Sequence, residues 1–328
     1  MIVNVPTADA LDDVALRLYF TAWSNLIKII DEFEQVYDVK FDLDRDDSWE
    51  EERLGYLKAC QPELQSTCAI IQQSNEIALK AMICRVSPFL LLLKSDPKFS
   101  IQNGDVDFSE FRTLDAVDLP LAVNSLCEEP LSDRFIQTYN LVRSLRNTIA
   151  HLGASTKKFR PEELIKILLF QYPQIWRSRL WLKDRVEFAS QTRTSYFHDF
   201  KYTSPHMDVM HELPTTISMI GKADFKKLFG EAKSKRRYLC HQCVDAANTR
   251  YADLDLDVCR TAHLIEDGKN IHCLMCGGTF PVVRRKCEVD GCKGDVISQD
   301  DSEYPECCHT CGKYRDDAPA GEWVTSSV

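Results

Sequence analysis

The sequence predicts a mainly α fold, in which a helical bundle is followed by a small β-rich module that is dense in cysteine. Two observations predict it. Apolar residues recur with the 3.6-residue period of helices through the first 190 residues, and ten of the 14 cysteines lie between Cys240 and Cys311. We therefore expect four parts along the chain: a helical bundle at 1–190, a linker or helical extension at 191–235, and two cysteine-rich ribbons at 236–280 and 281–328.

Helical periodicity recurs along the whole of the predicted bundle, and strand-like alternation is scarce before residue 238. The expected helices are 8–39, a short surface helix at 49–59, 62–94 with a kink at Pro88, 110–127 interrupted by Pro120, a helix from Ser132 or Asp133 to His151, and 162–189 with a break at Pro173. The 62–94 helix is apolar nearly all round toward its end, which marks the central helix of an up-and-down bundle of four or five helices.

Charge and hydropathy exclude two classes of protein. The formal net charge is -10, so the whole chain is not a general nucleic-acid coat, and any contact with nucleic acid must be local. The most apolar stretch, 77–93, contains Lys80, Arg85 and Pro88 and is too short in its uncharged run to cross a bilayer. We find no secretion signal and no membrane segment, and expect a cytoplasmic protein.

The cysteines form two sets with the spacing of metal ligands. Cys240-x2-Cys243 and Cys273-x2-Cys276 are about thirty residues apart, and Cys287-x4-Cys292 and Cys308-x2-Cys311 repeat the arrangement over a shorter interval. Thiolates in this pattern outside the secretory pathway bind zinc more often than they form disulfides. We predict tandem zinc ribbons that hold two structural Zn²⁺ ions per chain, with eight ligands: Cys240, Cys243, Cys273, Cys276, Cys287, Cys292, Cys308 and Cys311.

Alternatives remain at the edges of these sets. Cys307 competes with Cys308, and we choose Cys308 because only it has the two-residue spacing to Cys311. Cys259 is left over as a loop cysteine. Histidines also fall in this region, and any of them can replace a thiolate, although two complete four-cysteine sets make that unnecessary: His241, His263, His272 and His309. Three roles are open for the ribbons: they bind a protein, they bind nucleic acid, or they only brace the fold. If they bind nucleic acid, the triplet 284–286 is the expected phosphate contact.

A separate motif with chemical potential lies near the end of the 132–151 helix. It reads Arg146-Asn147-Thr148-Ile149-Ala150-His151. Asn147 and His151 are four residues apart and so share a helix face, and the long Arg146 side chain can reach the same place. Gly153 is expected to end the helix, which leaves His151 in the last turn, where the helix dipole favours its charged form.

A helical bundle whose late helix ends in Arg-Asn-x-x-x-His resembles the HEPN superfamily, the higher eukaryote and prokaryote nucleotide-binding domains. The resemblance covers roughly residues 8–190, and the stretch 75–81 also looks like that family's second long helix. It implies a metal-independent endoribonuclease of toxin or antiviral-defence type that works as a homodimer on an RNA substrate. Arg146 would then bind the scissile phosphate, Asn147 would orient its neighbours, and His151 would transfer protons.

Some members of that family keep the fold without the chemistry. The alternative is therefore a noncatalytic adaptor, in which the bundle dimerises and the ribbons bind protein or nucleic acid. One copy of the motif supplies a single arginine and no second base, so the nuclease hypothesis needs two copies face to face to complete a site.

Overall fold

The structure is a computed structural model that describes residues 1–41, 49–92, 104–152, 157–197, 204–247, 255–257, 259–300 and 302–313. The chain divides into two compact units, 1–177 and 178–328. Within the described residues, none of the helices is both long enough and apolar enough to pass through a membrane.

The first unit is a helical bundle built around one central helix. Its helices are α1 (Ala8–Phe41), α2 (Trp49–Ala59), α3 (Gln61–Val86), α4 (Leu119–Leu126), α5 (Asp133–Leu152) and α6 (Pro161–Ile175). Two short parallel strands, β1 (Ile2–Val3) and β2 (Val106–Asp107), pair beside them. Helix α3 packs on α1, α4, α5 and α6, as its nearly continuous apolar surface predicts.

Prolines lie at two helix boundaries, of which one differs from the prediction and the other falls close to a predicted break. Helix α3 ends at Val86 and does not continue through a kink to residue 94, because Ser87 before Pro88 is extended and Pro88–Leu91 forms a separate 3₁₀ turn. The expected 162–189 helix is two helices. Pro173 lies in the last turn of α6, which ends at Ile175, and a new helix starts only at Trp181.

The second unit begins in that gap, so residues 178–190 belong to it and not to the bundle. Its elements are α7 (Trp181–Ser190), α8 (Pro205–Met219), α9 (Lys222–Phe229), β3 (Arg237–Tyr238), α10 (His241–Ala247), β4 (Ala262–Leu264), β5 (Asn270–Cys273), β6 (Thr279–Arg284) and β7 (Val296–Ser298). The stretch expected as a linker or extension at 191–235 thus contains two packed helices, whose buried residues include Met210 and Phe225.

The strands of the second unit form one antiparallel sheet in the order β3-β4-β5-β6-β7. Strand β6 serves both cysteine sets: its first half, 279–281, pairs with β5, and its second half, 282–284, pairs with β7. The division expected between residues 280 and 281 therefore falls inside a strand. The prediction of a mainly α protein with a small β module carrying two four-cysteine groups is confirmed.

Candidate functional site

The first cysteine group lies where β3, α10, β5 and the turn before β6 meet. The Sγ atoms of Cys240, Cys243, Cys273 and Cys276 all lie within 4.8 Å of one another. Cys240 and Cys276 are 3.9 Å apart, and Cys243 and Cys273 are 3.6 Å apart. A tetrahedral ion with metal–sulfur bonds of about 2.3 Å requires sulfur–sulfur edges of about 3.8 Å. The four sulfurs therefore have the spacing that such an ion needs.

The second group has the same geometry. The Sγ atoms of Cys287, Cys292, Cys308 and Cys311 lie within 4.8 Å of one another, with Cys287–Cys311 and Cys292–Cys308 both at 3.9 Å. Cys307 is not a member. Its Sγ lies 3.4 Å from the carbonyl oxygen of Gly312, and burial raises its pKa to about 12, so it remains a neutral thiol.

Backbone amides surround both groups and favour the thiolate form of their cysteines. Gly278 N donates to Cys276 Sγ, and Gly294 N donates to Cys292 Sγ, each at 3.3 Å. Hydrogen bonds from neighbouring thiols, with Cys240 first, and from Gly278 N lower the pKa of Cys276. Gly277 and Gly312 follow the last cysteine of their groups with φ of 74° and 72°, a left-handed conformation that glycine adopts without strain.

Gly294 is required for steric reasons, which the sequence did not predict. A Cβ atom on Gly294 would lie 2.8 Å from Cys308 Sγ and 2.7 Å from the Thr310 side chain. A larger residue there would push on a ligand of the second group. The glycine that precedes β7 is thus part of this candidate site, although it stands two positions from the nearest cysteine.

Two histidines lie between the groups and belong to neither. His309 Nδ1 is 2.7 Å from the carbonyl oxygen of Leu239, and its Nε2 is 3.0 Å from Ser298 Oγ. The ring of His241 lies 4.2 Å from the ring of His309, centroid to centroid, and its Nδ1 is 3.6 Å from Cys307 Sγ. Burial lowers the pKa of both histidines, to about 3 for His241 and about 4 for His309, so both rings are neutral.

The remaining histidines of the region also lie outside the two groups. His263 is buried with neither ring nitrogen hydrogen-bonded among the described residues, and His272 Nδ1 is 3.2 Å from Thr279 Oγ1. His206 of α8, which was not among the predicted site residues, lies near the first group. Burial lowers its pKa, and the nearby Cys276 thiolate only partly opposes this shift. The structure thus assembles eight cysteines without a histidine replacement.

Helix α5 carries the predicted Arg-Asn-x-x-x-His residues. Ser132 Oγ accepts a hydrogen bond from Phe135 N at 3.2 Å and caps the helix at the expected place. Near the other end, Arg146 NH1 donates to Asn147 Oδ1 at 3.0 Å, and both side chains are half-buried. His151 is exposed, and its ring has no hydrogen-bond partner among the described residues. Gly153, expected to end the helix, lies outside the described residues.

A second arginine joins this surface. Tyr139, Arg143 and Arg146 fall on one face of α5, at spacings of four and three residues, opposite Glu76 of α3. Burial, with the charge of Glu76, raises the pKa of Tyr139, and the charges of Arg143 and Arg146 oppose that rise. Glu76 accepts from Gln72 Nε2 at 3.1 Å, and Lys80 donates to Thr113, so the ion pair that the spacing of Glu76 and Lys80 suggests is not formed.

Comparison with known protein families, with curated proteins and with solved structures finds no match to this chain. The functional argument therefore depends on chemistry. The two four-thiolate groups can each hold a tetrahedral metal ion with no open position for water, which suits a structural role. The exposed histidine, the amide and the two arginines near the end of α5 offer a phosphate-binding cation and a proton carrier on one surface.

Proposed function

We propose that the protein is a metal-independent endoribonuclease of toxin or antiviral-defence type, active as a homodimer through its helical bundle. The observation that carries the proposal is the surface of α5, where the hydrogen-bonded pair Arg146 and Asn147 lies one turn before the exposed His151. The resemblance of this motif to HEPN nucleases supports it. Arg143, on the same helix face, adds a second cation beside Arg146.

The reaction proposed is attack of a ribose 2′-hydroxyl on the adjacent phosphate. Arg146 stabilises the charge that develops on the phosphate oxygens. One His151 ring takes the proton of the 2′-hydroxyl as its oxygen bonds to phosphorus, the bond to the 5′ oxygen breaks, and this leaving oxygen takes a proton from a protonated His151 ring. Asn147 holds the Arg146 guanidinium through the hydrogen bond to its Oδ1. The products are a 2′,3′-cyclic phosphate and a 5′-hydroxyl end, and DNA is not cut because it lacks the 2′-hydroxyl.

We also infer that each four-cysteine group holds one structural Zn²⁺. Sulfur-only ligand sets with tetrahedral spacing favour zinc over the harder cations Mg²⁺ and Ca²⁺. Elemental analysis of the purified full chain should find two zinc ions per chain. A protein that folds with no bound zinc would remove this part of the proposal.

The nuclease proposal is tested on labelled single-stranded RNA with EDTA present and with the zinc content checked afterwards. Wild type should cut the RNA, and His151→Ala should lower the rate by about 10²–10⁴-fold. His211→Ala is the matched control, because His211 is also an exposed helical histidine and lies on α8. Equal cleavage by wild type and His151→Ala, or intact RNA with a well-folded wild-type dimer, would sink the proposal.

The second candidate is a noncatalytic adaptor that dimerises through the bundle. One observation favours it: the ring of His151 has no hydrogen-bond partner among the described residues, so none of these residues orients it for proton transfer. An adaptor would leave RNA intact in the cleavage assay and would still form the dimer. The two candidates are therefore separated by the same experiment.

A further inference from the structure

The densest run of positive charge over sixteen residues lies in the segment that leads into the first cysteine group. Residues 222–237 contain seven basic and two acidic side chains, a net charge of +5 in a protein of net charge -10. The basic residues are Lys222, Lys226, Lys227, Lys233, Lys235, Arg236 and Arg237. Such a local excess against an acidic background indicates a surface for an anionic partner.

The fold of this segment exposes the lysines of α9. Helix α9 buries Phe225, Leu228 and Phe229, and the lysines that remain on its outer surface, Lys222, Lys226 and Lys227, are exposed. None of these three makes an ion pair with a described residue. Their charges are therefore available to a ligand.

A groove of about 560 Å³ adjoins α9 and runs toward the turn between β4 and β5. The basic residues that line it are Lys226, Lys235 and Arg236. Lys235 is matched by Glu231, whose two carboxylate oxygens lie 2.8 Å from its Nζ. Lys226 and Arg236 are opposed by Glu266 alone among the acids that line the groove, and exposed Lys222 and Lys227 lie on the same helix as Lys226.

The rest of the groove is apolar and aromatic. Tyr238, Leu264 and Ile265 contribute to its lining. The guanidinium of Arg236 lies over the Tyr238 ring, 5.2 Å from the ring centroid, and Arg236 NH2 donates to Thr310 Oγ1 at 3.1 Å. Arg236 is thus held in place and presents a flat cation. Flat cations and apolar walls stack nucleobases, while the neighbouring ammonium groups suit phosphates.

Two of the three cations in the triplet 284–286, which the sequence favoured as the phosphate contact, are already neutralised. Arg284 is ion-paired with Asp295, and Arg285 NH2 lies 2.7 Å from Glu306 Oε1. Only Lys286 of the three is exposed and without an ion pair to a described residue. A second groove of about 570 Å³ lies near Cys292 and Cys311. Its lining sets three acids, Asp255, Asp257 and Asp290, against three cations, Arg260, Lys293 and Lys313, so it has no excess of positive charge. The α9 groove is therefore the better phosphate site.

We propose that the groove between α9 and the β4–β5 turn binds single-stranded RNA, with phosphates at Lys226 and Arg236 and a base against the apolar wall. Its volume is in the range that holds one small ligand, about 300–1,000 Å³, which gives room for a nucleotide. That the strand is RNA rests on the proposed function. The binding itself does not need cleavage, so the two can fail separately.

The test measures binding on the full-length, zinc-loaded chain that carries His151→Ala, so that the RNA stays intact. Fluorescence anisotropy follows a labelled single-stranded RNA of about 12 nucleotides, within the usual site size of such surfaces. The added groove variant is Lys226→Glu with Arg236→Glu. Lys58→Glu with Lys183→Glu is the matched control: it makes the same change in net charge, and both lysines are exposed and do not line the groove.

The groove variant should bind the RNA at least about 10-fold more weakly. The slope of log K against log salt should become less negative by about 1.4, because two phosphate contacts are lost. The control should bind within about twofold of the parent, since bulk charge alone is not the cause. Zinc content shows that each variant is folded, and Lys226→Ala with Arg236→Gln repeats the test with a milder change.

Three results would overturn the inference. They are no binding by the parent, an equal loss in the groove and control variants, or displacement of the RNA by polyglutamate as readily as by unlabelled RNA. Single-stranded DNA of the same sequence should lose affinity to the same degree in the groove variant, because phosphate contacts do not sense the 2′-hydroxyl. RNA that binds in the groove but is never cut by wild type would sink the nuclease proposal and leave the groove standing.

Discussion

Leu239 and His309 are joined by two hydrogen bonds across 70 residues of chain: Leu239 N donates to the His309 carbonyl at 2.8 Å, and His309 Nδ1 donates to the Leu239 carbonyl at 2.7 Å. A carbonyl can only accept, so the proton is on Nδ1, and Nε2 is left to accept from Ser298 Oγ. Leu239 directly precedes Cys240, and His309 follows Cys308. The two cysteine groups are therefore braced against each other.

This brace predicts that His309→Leu weakens both metal centres. The substitution removes two side-chain hydrogen bonds and leaves the buried Leu239 carbonyl with one partner fewer, a loss of about 1–3 kcal/mol. Zinc release to a chromogenic chelator should be faster, and it should include the ion held by Cys240. Release that is faster only for the Cys308 centre would contradict the coupling.

Replacement of His263 by leucine should have the opposite effect on stability from His309→Leu. It is buried, yet neither ring nitrogen has a hydrogen-bond partner among the described residues, so His263→Leu removes unsatisfied polar atoms and keeps an apolar side chain. The melting temperature should stay the same or rise. A fall as large as that of His309→Leu would show that His263 has a partner that the fold does not reveal.

The same residue predicts a pH dependence. Burial lowers the pKa of His263 to about 4, below its unfolded value of about 6.5. The unfolded chain therefore binds a proton between these values that the folded chain does not bind, so stability falls as pH drops from 6.5 to 4, by roughly 3 kcal/mol at most. The advantage of His263→Leu over wild type in melting temperature should grow over this window. A constant difference would contradict the shifted pKa.

Replacement of one ligand should cost more than one ion. Cys308→Ser opens the second group directly, and the shared strand β6 with the Leu239–His309 bonds transmits the damage to the first group. Elemental analysis should find fewer than one zinc per chain. Cys259→Ser is the control: Cys259 is buried outside both groups and donates to the Asp255 carbonyl, a bond that serine can keep. Retention of one full zinc by Cys308→Ser would show that the centres fold independently.

A buried ion pair between α7 and α8 predicts a large stability effect in the second unit. The Arg185 and Glu212 side chains are 6% and 12% exposed and are joined by bonds of 2.5 and 3.0 Å. Glu212→Ala leaves a buried guanidinium without this carboxylate and should cost about 3–5 kcal/mol in denaturant unfolding. Replacing both residues by leucine should cost less. Asp13→Ala, which breaks the exposed pair with Arg17, should cost under about 1 kcal/mol.

The sequence predicted those features that depend on neighbouring residues, such as helix bounds, a helix cap and the grouping of closely spaced cysteines. The short helix α2 has the expected bounds, Ser132 caps α5, and the spacing of the cysteines anticipated which sulfurs come together. The failures involve partners far apart in sequence. The ion pair of Arg285 with Glu306 and the neighbours that surround the α9 groove depend on strand pairing, which no short window encodes.

Strand β6 has a consequence for how this module can be divided. Its first three residues complete the sheet around one cysteine group and its last three complete the sheet around the other, so no cut leaves two whole ribbons. A fragment that ends before Thr279, or one that begins after Arg284, would expose the unpaired edge of a strand, which is a template for aggregation. Recombination, or an engineer who wished to move a single ribbon to another protein, would have to carry both together.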